Sequence, residues 1–261
     1  MSKSLSTPDA IIATAGNKAA AAKARSQPHA MAEKPRDVIL GACEAIAAVL
    51  AEDDFTFQRS GPGLKRIDGD LTFQIHFQSD RNNIAGRRAA VWIHGGVRSA
   101  TLGKWRRGRS VPWGVSSGPD VGLVAGGQIG NLANPPAWLE WDFANAALRA
   151  DEIADAVATI RRILLPFFAL FADPTHAIES LRHNSVLRQS SLLEYAVAVL
   201  GPEAAEAAGR RLLDGDSKLR QSFDGFVTQF RESGLPRFVG HQMSDLAAVA
   251  LADGLDLSSR D

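Results

Sequence analysis

Hydrophobic and polar positions divide the chain into a helical beginning, a central region of strands and a long helical remainder. From Pro35 onward the apolar residues recur at the three- and four-residue spacing of an amphipathic helix, and Asp53 and Asp54 mark its expected end. Proline is tolerated in the first turn of a helix, because the N–H that it lacks would have no partner there. The pattern therefore predicts a first helix that begins at Pro35.

The central region carries the two-residue alternation of half-buried strands. One face of its clearest strand is apolar and consists of Phe73, Ile75 and Phe77. The other face is polar and consists of Gln74, His76 and Gln78. Further strands are predicted near 55–57 and at 91–97, 121–129 and 137–143. Since no long helix separates these strands, antiparallel pairing is favoured over a parallel arrangement.

From Ala150 the apolar spacing becomes helical and stays so. A long helix begins there, and Pro166 is expected to end or kink it. Further helices are predicted at about 174–183, 190–200, 202–213, 216–232 and 241–252. We therefore expect an α+β fold: an antiparallel sheet of about five strands, packed by the N-terminal helix and the long helix, and followed by a helical C-terminal extension.

The same pattern suggests three parts of the chain. Residues 1–34 are rich in Ala, Ser and Lys and lack periodic apolar positions, which predicts a disordered tail. Residues 35–185 are expected to form the α+β domain, and residues 186–261 a helical extension packed on or beside it.

Composition excludes some classes of function and leaves others open. Lys and Arg total 29 and Asp and Glu total 29, so net charge favours neither nucleic acid nor an anionic membrane as a partner. The most apolar later run, 163–171, is too short to cross a bilayer. Cys43 is the only cysteine, which excludes an intrachain disulfide and predicts a cytoplasmic protein with a buried structural thiol.

One stretch of the strand region resembles a known family. The segment 54–83 reads DFTFQRSGPGLKRIDGDLTFQIHFQSDRNN, and its pattern is carried by Phe57, Leu64, Lys65, Arg66, Gly69, Asp70, Ile75, Gln78 and Ser79. This pattern, together with 137–141 and 165–168, resembles the bacterial family called domain of unknown function 4304, over roughly residues 36–185. The resemblance implies a fold; because that family has no established activity, it assigns no catalytic residue.

Two groups of polar residues in the strand region are candidates for binding. Gln74, His76 and Gln78 could form a ligand-reading face, or the ordinary solvated face of an antiparallel sheet. The segment after that strand consists of Ser79, Asp80, Arg81, Asn82 and Asn83. Loops at strand ends often carry binding groups, and the same residue types also serve simply to form turns.

A basic segment is the third candidate. Its cations are Lys104, Arg106, Arg107 and Arg109. Cations beside Trp105 suit phosphate contact and base stacking, but the neutral chain favours a solvated loop, and nucleic-acid binding is not expected.

Other patterns give no recognisable chemistry. The glycine-rich segment 126–131 lacks the ending of a phosphate loop, and His176 and His183 lie too far apart on a helix to share a metal. Glu140 and Asp142 share a strand face and could act as paired carboxylates, although a solvated face is favoured. We therefore predict no metal and no cofactor.

Two functions of different classes remain. The favoured one is a non-catalytic bacterial binding protein of immunity or adaptor type, because no nucleophile–base or metal pattern appears and the five Trp residues fall within the sheet region. The alternative is an enzyme acting on a polar or phosphorylated small substrate through His76, His94, Asp80 and Arg81. That alternative requires His76 and His94 to lie on one face of the sheet. The sequence does not determine the oligomeric state.

Overall fold

The architecture is that of a computed structural model, which describes residues 32–112, 121–181, 189–214, 216–237 and 242–258. Residues 34–261 form a compact unit. The predicted tail, apart from its last residues, lies outside the described residues, and so does the segment 182–188 that contains the predicted domain boundary.

A six-stranded antiparallel sheet forms the centre of the described structure. Its strands are β1 (Thr56–Gln58), β2 (Gly63–Asp68), β3 (Leu71–Ser79), β4 (Ala90–Ser99), β5 (Leu123–Gln128) and β6 (Trp141–Asp142). The first five pair in chain order, and β6 pairs with β4. The protein therefore belongs to the α+β class, as predicted.

The strand predicted at 137–143 is much shorter in the structure. Strand β5 pairs with β4 from His94 onward, whereas β6 pairs only with Ala90 and Val91 at the beginning of β4. Both strands use the same edge of β4, so the edge left to β6 is short. This shared edge explains why only Trp141 and Asp142 form a ladder.

Helices precede and follow the strands along the chain, and one helix lies between β4 and β5. They are α1 (Pro35–Leu50), α2 (Ala100–Arg107), α3 (Arg149–Thr159), α4 (Leu165–Ala169), α5 (Pro174–Leu181), α6 (Gln189–Leu200), α7 (Pro202–Leu213), α8 (Ser217–Ser233) and α9 (Gln242–Ala252). The first helix begins at Pro35, as predicted. It ends in a single 3₁₀ turn, after which Asp54 adopts a left-handed conformation with φ 64°.

The main core lies against one face of the sheet. Phe73, Ile75 and Phe77 are buried together, as the alternation predicts. The ring of Phe168, from α4, lies 5.1 Å from the ring of Phe73. Gly95 on β4 also lies against the helical layer, since a Cβ there would lie 2.4 Å from a methyl carbon of Leu164 and that side chain would have to move. The helical layer thus packs directly on the strand backbone.

Pro166 interrupts the long helix without ending it. Helix α3 continues through a π-helical turn, Ile160–Leu164, into α4. The N–H of Leu165 donates to the carbonyl of Ile160, five residues earlier. Proline has no N–H for the next helical hydrogen bond, and a π turn is one way to accommodate that loss.

The C-terminal helices enclose a second buried cluster, to which helix α6 also contributes. Leu192 and Tyr195 on α6 belong to the core beneath the sheet, whereas Leu193 and Ala196 on the same helix belong to the cluster shared with α7, α8 and α9. Because α6 is buried on both sides, it joins the sheet core to the C-terminal helices.

Candidate functional site

The second face of the sheet brings the predicted polar residues together with residues from neighbouring strands. We call it the open face, and it consists of Lys65, Gln74, His76, Gln78, Trp92, His94, Gly96, Arg98, Gly126 and Gln128. These residues share a face because antiparallel partners directly opposite each other point to the same side. Most of them are half-buried or exposed, in contrast to the buried Phe73 face.

Two histidines lie side by side at the centre of the open face. His76 on β3 pairs directly with His94 on β4, and their ring centroids are 6.4 Å apart. Burial, and secondly the positive charge of a protonated His76, lower the pKa of His94. The Nε2 atom of His94 is buried without a hydrogen-bond partner in the described part of the chain. The pair therefore offers an unoccupied imidazole nitrogen.

Beside the histidines, a strip without side chains crosses β4 and β5. Gly96 pairs with Gly126 on the adjacent strand. Gly126 must be glycine because a Cβ there would lie 2.6 Å from the carbonyl oxygen of Gly95. Arg98 borders this strip, and its Nε donates to Oε1 of Gln74 at 2.8 Å. Gly96 and Gly126 therefore leave the backbone of the two strands uncovered by side chains of their own.

An aromatic pair lies at one end of the open face. The rings of Trp92 and Trp138 meet edge to face at 5.2 Å. The indole N–H of Trp92 donates to Glu140 at 2.9 Å, and the other carboxylate oxygen of Glu140 accepts from Arg88 at 2.6 Å. Trp138 remains 61% exposed, which is unusual for so large an apolar side chain.

Glu140 and Asp142 each accept hydrogen bonds from neighbouring groups. Glu140 holds Trp92 and Arg88, whereas Oδ1 of Asp142 accepts from the backbone N–H groups of Ala89 at 2.8 Å and Ala144 at 3.0 Å. Both carboxylates therefore support the chain around β6.

The segment after β3 is a turn closed by its own side chains. Asp80 is buried and accepts from the N–H of Asn82 at 2.9 Å and from Arg88 at 2.9 Å. These hydrogen bonds, with the positive charge of Arg88, lower the pKa of Asp80. Asn83 donates to the carbonyl of Ala90 at 2.9 Å and accepts from its N–H at 2.7 Å. Asp80 and Asn82 thus shape the turn.

Of the four residues of the predicted enzyme, only the two histidines lie together. His76 and His94 lie together, as that hypothesis requires. Asp80 lies four residues beyond His76, about 13 Å along an extended strand, and it is held by Arg88. Arg81 is exposed in the turn. The histidine pair therefore has no contact with the carboxylate that was expected to act with it.

The expectation of a solvated basic loop is wrong. Residues 100–107 form helix α2, and Arg106 on this helix is buried. Its Nε donates to Glu194 at 2.9 Å, and its Nη1 donates to the carbonyls of Val121 and Leu123, each at 3.0 Å. Arg106 is buried because its fork of donors finds three acceptors, which come from two parts of the chain.

Arg109 belongs to the same ionic cluster. It pairs with Asp253 at 2.6 Å and with Glu194 at 3.4 Å, and its guanidinium lies 4.1 Å from the ring centre of Trp105. The cations of the basic segment therefore divide into two groups. Arg106 and Arg109 serve the fold, whereas Lys104 and Arg107 remain exposed.

No three His, Cys, Asp or Glu side chains in the described ranges lie together as ligands for one metal ion. None of the helices within those ranges is long and apolar enough to cross a membrane.

The sequence pattern identifies one strand of the open face but not the residues that the neighbouring strands add to it. Lys65, Arg98 and Gln128 join the face through strand register, which spacing along one strand does not reveal. The alternation of residues 91–97 was a usable signal, because it places Trp92 and His94 on the side opposite to Ile93.

Comparisons with known proteins leave the chain without an assigned family. No protein-family model, no curated protein and no solved structure matches it. The resemblance to the domain of unknown function 4304 therefore stays a prediction.

Proposed function

We propose that this chain is a non-catalytic cytoplasmic binding protein that engages a protein partner through its open face. A role as a bacterial immunity or adaptor protein fits this proposal. The observation that carries it is the pair of Trp92 and Trp138, in which Trp138 is 61% exposed beside a polar face. Tryptophan is enriched among the residues that dominate the affinity of protein interfaces.

The surroundings of the pair support a binding role. Glu140 accepts hydrogen bonds from the indole of Trp92 and from Arg88, and these interactions fix the position of Trp92 in the aromatic pair. A preformed side chain loses little conformational freedom on binding, which favours affinity. His76 and Gln78 continue the exposed surface from the aromatic pair along β3. An aromatic anchor with a polar surround is the usual composition of a protein interface.

The test is affinity capture from the cells in which the protein occurs, followed by mass spectrometry. Wild-type protein is expected to recover one stoichiometric partner, and Trp138→Ala is expected to lose it. Ile84→Ala is the matched control, because Ile84 is a large apolar residue, 55% exposed, in the turn between β3 and β4. The proposal is refuted if no stoichiometric partner is recovered, or if Trp138→Ala retains it as well as Ile84→Ala does.

A second candidate function is an enzyme acting on a polar or phosphorylated small substrate. The observation that favours it is the His76–His94 pair, in which Nε2 of His94 has no hydrogen-bond partner among the described residues. A panel of phosphorylated metabolites, tested by thermal shift, should then include one that stabilises the wild type and not His94→Asn, since a bound ligand raises apparent stability. Equal shifts for both proteins would reject this candidate.

A further inference from the structure

A cavity of about 720 Å³ lies between the chain after β5 and the interrupted helix. Its size falls within the range of small-molecule sites, about 300–1,000 Å³. Most of its lining is apolar and comes from Leu132, Leu139, Ile163, Pro166, Phe167 and Leu170. Asn134, Arg162 and Ser180 contribute polar groups. None of these residues belongs to the open face, so the cavity is a separate site.

Both walls of the cavity are held by the fold. On one wall, the side-chain amide of Gln128 donates to the carbonyl of Leu139 at 2.6 Å, and the N–H of Ala137 donates to the carbonyl of Gly130 at 2.9 Å. On the other wall, Phe167 is buried and its ring lies 5.7 Å from that of Phe168. The cavity is therefore preformed, which reduces the ordering that a ligand must impose.

Arg162 supplies the charge of the cavity. It is the one cation among the lining residues, and those residues include no carboxylate. Within the described part of the chain, the hydrogen bond of its guanidinium is a long one, to the hydroxyl of Thr159 at 3.4 Å. The adjacent Arg161 differs, because it is paired with Glu52 at 3.1 Å and Asp53 at 3.0 Å. Most of the donors of Arg162 therefore remain available to a ligand.

The π turn places this arginine beside the apolar wall. Arg162 and Ile163 lie within the turn Ile160–Leu164, and Pro166 follows it. Pro166 cannot donate to the carbonyl of Arg162, four residues earlier, so the ordinary helical bond is absent at this point. Turns of this kind are frequent at functional sites.

We propose that the cavity binds an apolar molecule that carries a single carboxylate. The apolar part lies against Phe167 and Leu170, and the carboxylate accepts hydrogen bonds from the guanidinium of Arg162. The planar fork of arginine pairs with a carboxylate, as it also does with a phosphate, through two parallel hydrogen bonds. Because the lining contains one cation and no carboxylate, the cavity favours a ligand with one negative charge.

The experiment compares decanoate with decanol by isothermal titration calorimetry on the full chain, below the concentration at which decanoate forms micelles. Wild-type protein is expected to bind decanoate at one site and to bind decanol at least tenfold more weakly. Arg162→Met keeps an apolar stem close to that of arginine and removes the guanidinium, and it is expected to weaken decanoate binding about tenfold or more, as for a lost hydrogen bond to a charged group. Decanol binding should not change in this variant.

Two further variants separate the site from general effects. Arg161→Met is the matched control and should bind decanoate as the wild type does. Ala133→Leu, which narrows the cavity, should weaken binding of both probes; if this variant does not fold, the exposed Arg162→Met still decides the question. The proposal is overturned by the absence of saturable decanoate binding, by equal affinity for decanol, or by equal weakening in Arg161→Met and Arg162→Met. Decanoate binding and recovery of the protein partner are separate measurements, so loss of the partner in Trp138→Ala leaves the comparison of Arg162→Met with Arg161→Met to decide this proposal.

Discussion

Replacement of Arg106 by Ala tests the ionic cluster that connects helix α2 to helix α6. Arg106 is 6% exposed, and it contacts Glu194, Val121 and Leu123 through its guanidinium. The substitution removes these contacts together and leaves buried acceptors unpaired. We expect a large loss of stability, in contrast to the small effect that a solvated loop would give.

The expected loss of stability follows from the acceptors that lose Arg106 as a partner. Breaking a buried ion pair by removing one partner costs about 3–5 kcal/mol, because the remaining charge is uncompensated. Arg109 lies 3.4 Å from Glu194 and offsets part of this cost. The two carbonyls that accept from Nη1 of Arg106 lose their partner, which costs about 1–3 kcal/mol for each carbonyl that water cannot reach. A loss of about 3 kcal/mol or more is therefore expected, from a total stability of about 5–15 kcal/mol.

The assay is urea unfolding followed by circular dichroism at neutral pH, with the slope of the transition compared among variants. Arg107→Ala is the matched control, because Arg107 is exposed on the same helix and should change stability by about 0.5 kcal/mol or less. In a double-mutant cycle, Arg106→Met combined with Glu194→Leu should lose less stability than Arg106→Met alone, since the carboxylate of Glu194 is then not left buried without Arg106. A cost below about 1 kcal/mol for Arg106→Ala would refute the role assigned to the cluster.

Further predictions concern the core, the pH dependence and the exposed cations. Phe77→Ala should cost about 3–5 kcal/mol in urea unfolding, because Phe77 is 3% exposed; a cost under about 1 kcal/mol would contradict its burial. Burial raises the pKa of Asp253 to about 6 despite the opposing charge of Arg109. The folded state therefore binds more protons than the unfolded state between about pH 4 and 6, so the free energy of unfolding should fall as pH rises through that window. Asp253→Asn should lack this part of the pH dependence. Identical pH profiles for the variant and the wild type would contradict the prediction. Lys104 and Arg107 remain exposed. Filter binding should nevertheless detect no salt-sensitive binding of DNA or RNA near physiological salt. This expectation would be overturned if such binding occurred and was lost when both residues were replaced by Ala.

Part of the candidate site follows from local sequence, and the limit lies in strand register. The alternation along β3 identifies Gln74, His76 and Gln78 as one face, because side chains on a strand alternate with a period of two. It does not show that His94 lies opposite His76, since pairing depends on which residues of β4 face β3. A shift of one residue would have placed His94 on the buried face.

The sequence by itself determined the α+β class, the first helix from Pro35, the buried set of Phe73, Ile75 and Phe77, and most of the later helices. These features follow from the spacing of apolar residues, which acts locally. Only the tertiary structure decided that Arg106 is buried, because its partner Glu194 lies 88 residues away along the chain. The same holds for the cavity at Arg162, whose two walls come from separate segments. Charges and cavities of this kind depend on which distant segments meet, and no local pattern encodes that meeting.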